Sequence, residues 1–184
     1  MRQLIVTENL SLDGIMSPMD GWFDPTKSGD DLLSASAEHR ASADALVLGR
    51  VTFEEFAGFW PYQDDDRTGV SDYLNRVSKY VVSTRLDSTE WQNSTILRGP
   101  VMDELGALKN AEGRDIVVTG SAELVRSLQP SGLIDAYRLF VYPVVQGRGR
   151  RLFVDGVDAA LELTDVRRFA SGVVLLEYRT AAAS

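Results

Sequence analysis

Short apolar segments alternate with helix-like segments along most of this chain, and this alternation limits the folds it can adopt. The apolar segments predict strands at 3–10, 45–48, 79–84, 94–97 and 115–120. The intervening segments predict helices at 30–42, 52–57, 71–77, 100–110 and 121–129. Strands connected by helices pair in parallel, and the helices cover both faces of the sheet. The expected class is therefore α/β, in a three-layer α/β/α arrangement.

The pattern changes after residue 129. Further strands are predicted at 134–145, about 160–168 and 172–179, with no helix between them. Because such strands pair most simply as antiparallel neighbours, we expect an antiparallel edge on a mixed, mainly parallel sheet. The length of 184 residues suits a single domain spanning 1–184.

Composition argues against several kinds of function. The chain has no cysteine and one histidine, His39, so it cannot build a thiolate or multi-histidine metal site. The formal net charge is −8, and the only dense basic block is GRGRR at 147–151, so we expect no nucleic-acid partner. No apolar run approaches the roughly 18 residues that span a membrane, and the N-terminal segment does not resemble a secretory signal. A cytoplasmic protein without a membrane partner is therefore expected.

Three predicted strands end in turns that are rich in glycine, hydroxyl or arginine side chains. These turns lie at 48–52, 82–85 and 118–123. In open α/β sheets, ligands bind beyond the carboxyl ends of the strands, where helix N-termini also attract anions. Arginine and hydroxyl groups suit phosphate oxygens, and the second turn suits a phosphate monoester such as the 2′-phosphate of NADP. The alternative for each turn taken alone is an ordinary helix cap.

Five segments carry a family pattern when they are taken together. They are SLDG at 11–14, HRASADALVLGRVTFEEFAGFWP at 39–61, VVSTR at 81–85, VVTGSAELVRSL at 117–128 and GLIDAYRLFVYPVVQGRGRRLF at 132–153. The chain resembles the dihydrofolate reductase superfamily, in particular the branch with the reductase domain of the riboflavin-biosynthesis deaminase–reductase. This resemblance implies a mixed eight-stranded sheet, NADPH as hydride donor, and a substrate cleft between the first loop and the first helix.

The same resemblance assigns cofactor contacts to the three turns and to the first strand. The residues expected at the cofactor phosphates are Gly49, Arg50 and Thr52. Those expected around the 2′-phosphate are Ser83, Thr84 and Arg85. Those expected along the pyrophosphate and the nicotinamide ribose are Gly120, Ser121, Ala122 and Glu123. Asn9, at the end of the first strand, is expected to face the nicotinamide.

A reductase of this kind also needs a proton source. In dihydrofolate reductases a buried carboxylate on the first helix assists protonation, but gapless alignment from the Gly-Arg turn places Leu33 at that position. The catalytic candidates are therefore Asp31, with Asp30 beside it, and Asp13 in SLDG, where burial is expected to raise the pKa. The alternatives are a turn-forming role for Asp13 and helix N-terminal charge for the other two.

Aromatic residues of the first loop are the candidates for a substrate pocket. Trp22 and Phe23 are expected to flank a flat substrate or the nicotinamide; alternatively, they close the loop over the core. His39 and Arg40, near the end of the first helix, are interpreted as a polar helix terminus.

The expected function is NADPH-dependent reduction of a small-molecule C=N or C=O substrate. It would be similar to that of 5-amino-6-(5-phosphoribosylamino)uracil reductase or dihydrofolate reductase. Deamination is excluded, because the zinc site of the deaminase domain needs cysteine. The alternative is an NADP(H)-binding protein of the same fold that is non-catalytic or regulatory. A homodimer is expected, formed through the apolar strands at 134–145 and 172–179.

Overall fold

One eight-stranded sheet forms the centre of the computed structural model, which describes residues 1–16, 22–24, 27–154, 156 and 158–181. The strands are β1 (Leu4–Ser11), β2 (Ala43–Gly49), β3 (Ser78–Val82), β4 (Ser94–Leu97), β5 (Asp115–Val118), β6 (Ala136–Tyr142), β7 (Leu161–Arg168) and β8 (Val174–Thr180). The helices are α1 (Asp30–Ser42), α2 (Arg50–Ala57), α3 (Val70–Arg76), α4 (Val101–Asn110) and α5 (Ala122–Leu128). Short 3₁₀ turns at Trp60–Tyr62 and Gln129–Ser131 follow α2 and α5.

The strand order across the sheet is β4-β3-β2-β5-β1-β6-β8-β7. The strands from β4 to β6 in this order are parallel, whereas β8 is antiparallel to both β6 and β7. The predicted mixed sheet with an antiparallel edge is therefore confirmed. β6 belongs to the parallel part, because α5 and the turn after it carry the chain past β1, from β5 on one side to β6 on the other.

Helices cover both faces of the sheet, as the three-layer prediction requires. On one face, β1 and its neighbours pack against α4 and α5 through residues that include Leu4, Val6, Leu10, Leu105 and Val125. On the other face, α1, α2 and α3 supply residues that include Leu32, Phe53 and Leu74. Within the described ranges, no helix is long and apolar enough to cross a bilayer.

The carboxyl ends of β3, β2 and β5 lie side by side, because these strands are consecutive in the sheet. Gly49 at the end of β2 is in register with Val82 of β3, and Val47 of β2 is in register with Val118 of β5. The three turns singled out in the sequence therefore meet at one edge of the sheet.

A buried lysine anchors the base of β3. Lys79 Nζ donates hydrogen bonds to the carbonyl oxygens of Leu74, at 2.6 Å, and Val77, at 3.0 Å. It also lies 4.6 Å from the centroid of the Trp91 ring. The ammonium group thus caps the C-terminus of α3, where a cation is favoured. Burial lowers the pKa of Lys79 to about 8.

The pH dependence of the free energy of unfolding should reveal the lowered pKa of Lys79. Between a pH of about 8 and the ordinary lysine pKa of 10.5, the unfolded chain binds a proton that the folded protein does not bind. The free energy of unfolding of the wild type should therefore rise through this window relative to that of Lys79→Met, by up to about 1.4 kcal/mol per pH unit. Urea unfolding of both proteins across this range measures the effect. A difference between them that does not change with pH would contradict the assignment.

Candidate functional site

Two hydrogen bonds join the turn after β2 to the turn after β5. The backbone N–H of Gly49 donates to the hydroxyl of Ser121 at 2.8 Å. The backbone N–H of Ser121 donates to Thr52 Oγ1 at 2.9 Å. Side chains of each turn therefore satisfy backbone groups of the other, and we term this pair of contacts the turn clip. The structure shows that Thr52 and Ser121 shape the site as well as line it.

The turn clip depends on backbone conformations that favour glycine. Gly120 has φ +66°, and a Cβ atom on it would lie 2.6 Å from Thr52 Cγ2. Ser121 also has a positive φ, of 36°. Such a conformation is uncommon for a residue other than glycine, asparagine or aspartate. Its cost is offset by the hydrogen bond that the Ser121 hydroxyl accepts.

An open cavity of about 460 Å³, termed the outer cavity, lies over the ends of β2, β3 and β5. It brings together nearly all of the predicted cofactor-binding residues, namely Gly49, Arg50, Thr52, Ser83, Thr84, Arg85, Ser121, Ala122 and Glu123. Arg150, from the basic segment after β6, also lines this cavity. The outer cavity is therefore a concave surface rich in hydroxyl and guanidinium groups.

The polar side chains of the outer cavity have different local partners. Arg50 forms an ion pair with Glu54 on α2, with Nη1 and Oε2 2.6 Å apart. Ser83 is buried, and its hydroxyl accepts the backbone N–H groups of Arg85, at 3.1 Å, and Leu86, at 2.9 Å. Ser83 thereby folds the turn that holds the exposed side chain of Arg85 at the cavity wall.

A second cavity, of about 490 Å³, continues from the outer one and is termed the middle cavity. The two share Thr52, Ser121, Ala122 and Arg150. The predicted residues Asn9 and Gly120 line the middle cavity. It also contains a residue that the sequence analysis missed, the acidic side chain of Glu8. The signal in the sequence was an acidic residue inside the apolar first strand, LIVTENLS.

A smaller and largely apolar cavity of about 200 Å³, termed the inner cavity, lies under α1. It shares Asn9, Phe23, Phe56 and Thr119 with the middle cavity, so the three cavities form one cleft. Its aromatic lining includes Trp60, Tyr73, Phe140 and Tyr142. Burial raises the pKa of both tyrosines to about 12, so their phenols remain protonated donors at neutral pH. The apolar Leu33 also lines the inner cavity.

The aromatic residues of the first loop lie at this end of the cleft. Phe23 lines the inner and middle cavities. Trp22 packs edge-on against Tyr142, with ring centroids 5.0 Å apart. Phe23 packs edge-on against the same ring at 5.6 Å. The pair therefore packs on the core at Tyr142, and Phe23 also faces the cleft; the expectation that these residues flank a flat ligand stays a prediction.

His39 and Arg40 lie in the last turn of α1, as expected, but both side chains also line the inner cavity. His39 is buried, with Nε2 3.1 Å from Glu177 Oε1, and Arg138 lies 3.4 Å from the other oxygen of Glu177. The hydrogen bond from His39 is the main reason that the pKa of Glu177 is lowered. Arg40 donates to the carbonyl oxygen of Thr68 at 2.7 Å.

The expectation of a raised pKa for Asp13 is wrong. Its carboxylate accepts hydrogen bonds from the Ser11 hydroxyl at 2.7 Å and from the backbone N–H groups of Gln146, at 3.1 Å, and Gly147, at 2.8 Å. These bonds, with the one from Ser11 as the largest cause, lower the pKa of Asp13 to about 2. Asp13 is therefore ionised at neutral pH and ties the SLDG turn to the turn after β6, which is the turn-forming alternative.

Asp31 is also held as a carboxylate. It accepts backbone N–H groups from Ala170, at 2.8 Å, and Leu32, at 2.9 Å. The bond from Ala170 is the largest cause of the lowering of its pKa. Asp30 is exposed, and its closest cation is Arg67, with the atoms 3.5 Å apart. The contacts of Asp30 and Asp31 agree with the alternative that both are negative charges at the N-terminus of α1. Neither acid is therefore placed to donate a proton to a ligand in the cleft.

Comparison with known proteins supports the family resemblance. The family model described as the RibD C-terminal domain matches residues 2–175. The uncharacterized protein YyaP of Bacillus subtilis (strain 168) is 29% identical over 185 residues, which cover 96% of this chain and 94% of YyaP. A pyrimidine reductase-like protein from Corynebacterium diphtheriae NCTC has a similar fold, with a TM-score of 0.69, 16% identity, and coverage of 99% and 93% of the two chains. Dihydrofolate reductase from Enterococcus faecalis, solved in complex with NADP(H), superposes with a TM-score of 0.64 at 15% identity, covering 97% and 96%.

The close approach of Gly120 to Thr52 should make this glycine indispensable to the turn clip. Gly120→Ala is expected to destabilise the protein by about 2 kcal/mol or more, from steric overlap and positive-φ strain together. Gly132→Ala is the matched control, because Gly132 has φ +71° but nothing within 4 Å of the added Cβ. Thr52→Ser, which removes the overlapping methyl group, should partly rescue Gly120→Ala. Equal destabilisation of the two glycine variants in thermal or urea unfolding would argue against the clip.

Proposed function

We propose that this chain, which belongs to the RibD C-terminal domain family, is an NADPH-dependent reductase that acts on a small C=N or C=O substrate. The observation that supports this most strongly is the single cleft along the strand ends. Its outer part presents arginine and hydroxyl groups, and its inner part is narrow, aromatic and under α1. An elongated anionic dinucleotide and a small planar substrate would fit these two environments in that order.

The residues of the outer cavity fit the phosphates of NADPH. Arg50 and Arg85 supply guanidinium forks, and Thr84 supplies a hydroxyl group. Arg85 and Thr84, at the end of β3, would hold the 2′-phosphate that distinguishes NADPH from NADH. When bound, NADPH supplies the hydride; the protein holds and orients both reactants and excludes water.

The inner cavity fits a substrate with a small flat ring. Its volume of about 200 Å³ and its aromatic walls favour a planar group over a bulky one. Tyr73 and Tyr142 offer protonated phenols, and Arg40 offers a guanidinium group beside Thr68. A pyrimidine or a similar heterocycle with a reducible C=N or C=O bond satisfies these features.

Reduction by hydride leaves negative charge on nitrogen or oxygen, so a proton must follow. We propose that His39 delivers it. Nδ1 of His39 has no hydrogen-bond partner among the described residues, whereas Nε2 is held by Glu177. With Nε2–H donated to that carboxylate, the imidazolium form carries its second proton on Nδ1; transfer of that proton to the substrate in the inner cavity would leave a neutral imidazole that still donates Nε2–H to Glu177. Arg138 in turn supports Glu177.

Cofactor binding tests the first part of the proposal. Titration of NADPH and NADH, followed by quenching of tryptophan fluorescence, should show tighter binding of NADPH. Arg85→Ala should weaken NADPH binding about 10-fold or more and leave NADH binding nearly unchanged, since a hydrogen bond to a charged group contributes about 1.5–3 kcal/mol. Arg50→Ala should weaken both. Arg179→Ala, an exposed arginine that pairs with Glu162 on the far edge of the sheet, is the charge-matched control. Failure of the wild type to bind either cofactor would refute the proposal.

Turnover tests the second part. Small carbonyl and imine compounds would be screened for oxidation of bound NADPH. With any compound that is reduced, His39→Gln is expected to lower kcat about 100-fold while the dissociation constant for NADPH stays the same. Glu177→Gln should lower kcat less and change its pH profile, because that carboxylate only orients the imidazole. Unchanged kcat in His39→Gln would exclude His39 as the donor. Tight NADPH binding without turnover would favour the alternative of a non-catalytic NADP(H)-binding protein.

A further inference from the structure

Glu8 is an acidic side chain in an apolar part of the central strand. It is 5% exposed, and its neighbours on the same face of β1, Val6 and Leu10, belong to the hydrophobic core. Parallel partners flank β1 on both sides, so backbone hydrogen bonds hold the strand in place. This carboxyl group lines the middle cavity, together with Asn9 and Gly120.

The carboxyl group of Glu8 is incompletely satisfied. Its buried Oε1 atom has no hydrogen-bond partner among the described residues. Burial raises the pKa of Glu8 well above its ordinary value, and the opposing effect of the Gly120 backbone N–H is smaller. The charged groups that line the same cavity from other elements are Glu55 of α2 and Arg148 and Arg150 of the segment after β6. None of these forms an ion pair with Glu8 within the described part of the chain. Burial therefore favours the neutral, protonated form of Glu8.

A neutral carboxylic acid offers one donor and one acceptor side by side. The ligand group that matches this pair is a primary carboxamide, which has an acceptor oxygen and a donor NH₂ group. An unsatisfied polar atom in a buried wall is costly unless a ligand completes it. We propose that Glu8 recognises the carboxamide of the nicotinamide ring in the middle cavity, an inference that rests on the proposed reductase function. Its O–H donates to the carboxamide oxygen, and Oε1 accepts from the NH₂ group.

This role makes the protein sensitive to the redox state of the cofactor. The nicotinamide ring is neutral in NADPH and positively charged in NADP⁺. Ionisation of Glu8 removes the donor that NADPH uses, but places a negative charge beside the cationic ring of NADP⁺. As pH rises through the pKa of Glu8, affinity for NADPH should therefore fall and affinity for NADP⁺ should rise. Ionised Glu8 favours bound NADP⁺, and bound NADP⁺ in turn favours the ionised form of Glu8.

Binding titrations with three ligands test the inference. NADPH, NADP⁺ and 2′-phospho-ADP-ribose, which lacks nicotinamide, would be titrated against the wild type, Glu8→Gln and Glu8→Leu. Glutamine keeps a donor and an acceptor, so Glu8→Gln should bind NADPH within about threefold of the wild type, whereas Glu8→Leu should lose about 10-fold. Affinity for 2′-phospho-ADP-ribose should be equal in all three. Thermal unfolding of each variant confirms that it is folded.

The pH dependence provides a readout that a purely structural role would not change. The ratio of NADP⁺ affinity to NADPH affinity should increase with pH in the wild type and stay constant in Glu8→Gln. Glu55→Gln, which changes the other acid of the middle cavity, is the matched control and should keep the wild-type pH dependence. A pH-independent ratio in the wild type, or equal NADPH affinity in the wild type and Glu8→Leu, would overturn the role of Glu8 and leave the reductase proposal intact. If neither NADPH nor 2′-phospho-ADP-ribose bound to the wild type, the proposed function itself would fail, and this inference with it.

Discussion

The contact between the turns after β2 and β5 is the constraint on which the rest of the site depends. Ser121, in the turn after β5, is hydrogen-bonded to both Gly49 and Thr52 in the turn after β2. The two turns can approach this closely because Gly120 has no side chain. These turns begin α2 and α5, on opposite faces of the sheet, so the clip sets the width of the cleft between them. The clip thereby holds together the carboxyl ends of β2 and β5, which are adjacent in the sheet but far apart in the sequence.

The side chains that line the cleft change from charged to neutral as they become more buried. The outer cavity is open, and its arginines keep their charge at little cost because solvent reaches them. The middle cavity contains Glu8, whose neutral form is favoured by burial. The inner cavity contains protonated phenols and a histidine that is hydrogen-bonded to Glu177. Charged recognition therefore lies at the surface, whereas groups that exchange or share protons lie inside. This arrangement is consistent with a ligand that places its phosphates outside and its reactive ring inside.

Local sequence patterns predicted the elements well, because each depends on short-range periodicity. The strand and helix positions agree with the structure within a few residues, and the three glycine, hydroxyl or arginine turns do meet at one sheet edge. The predictions for acidic residues were poorer. Asp13 and Asp31 were interpreted from their positions in a motif and a helix, but the N–H groups of Gln146, Gly147 and Ala170, distant in sequence, keep them ionised.

The amino-acid sequence by itself determined the α/β class, the mainly parallel sheet and the phosphate-type turns, since these follow from periodicity, from glycine and from residues adjacent in the chain. Tertiary structure alone decided which acids are buried and which ring nitrogen of His39 has no hydrogen-bond partner among the described residues. Glu8 acquires its character from the packing of β1 between β5 and β6, and His39 from a carboxylate on β8. Desolvation and hydrogen bonding depend on distance in space, and for these groups the decisive neighbours lie more than 100 residues away in the chain.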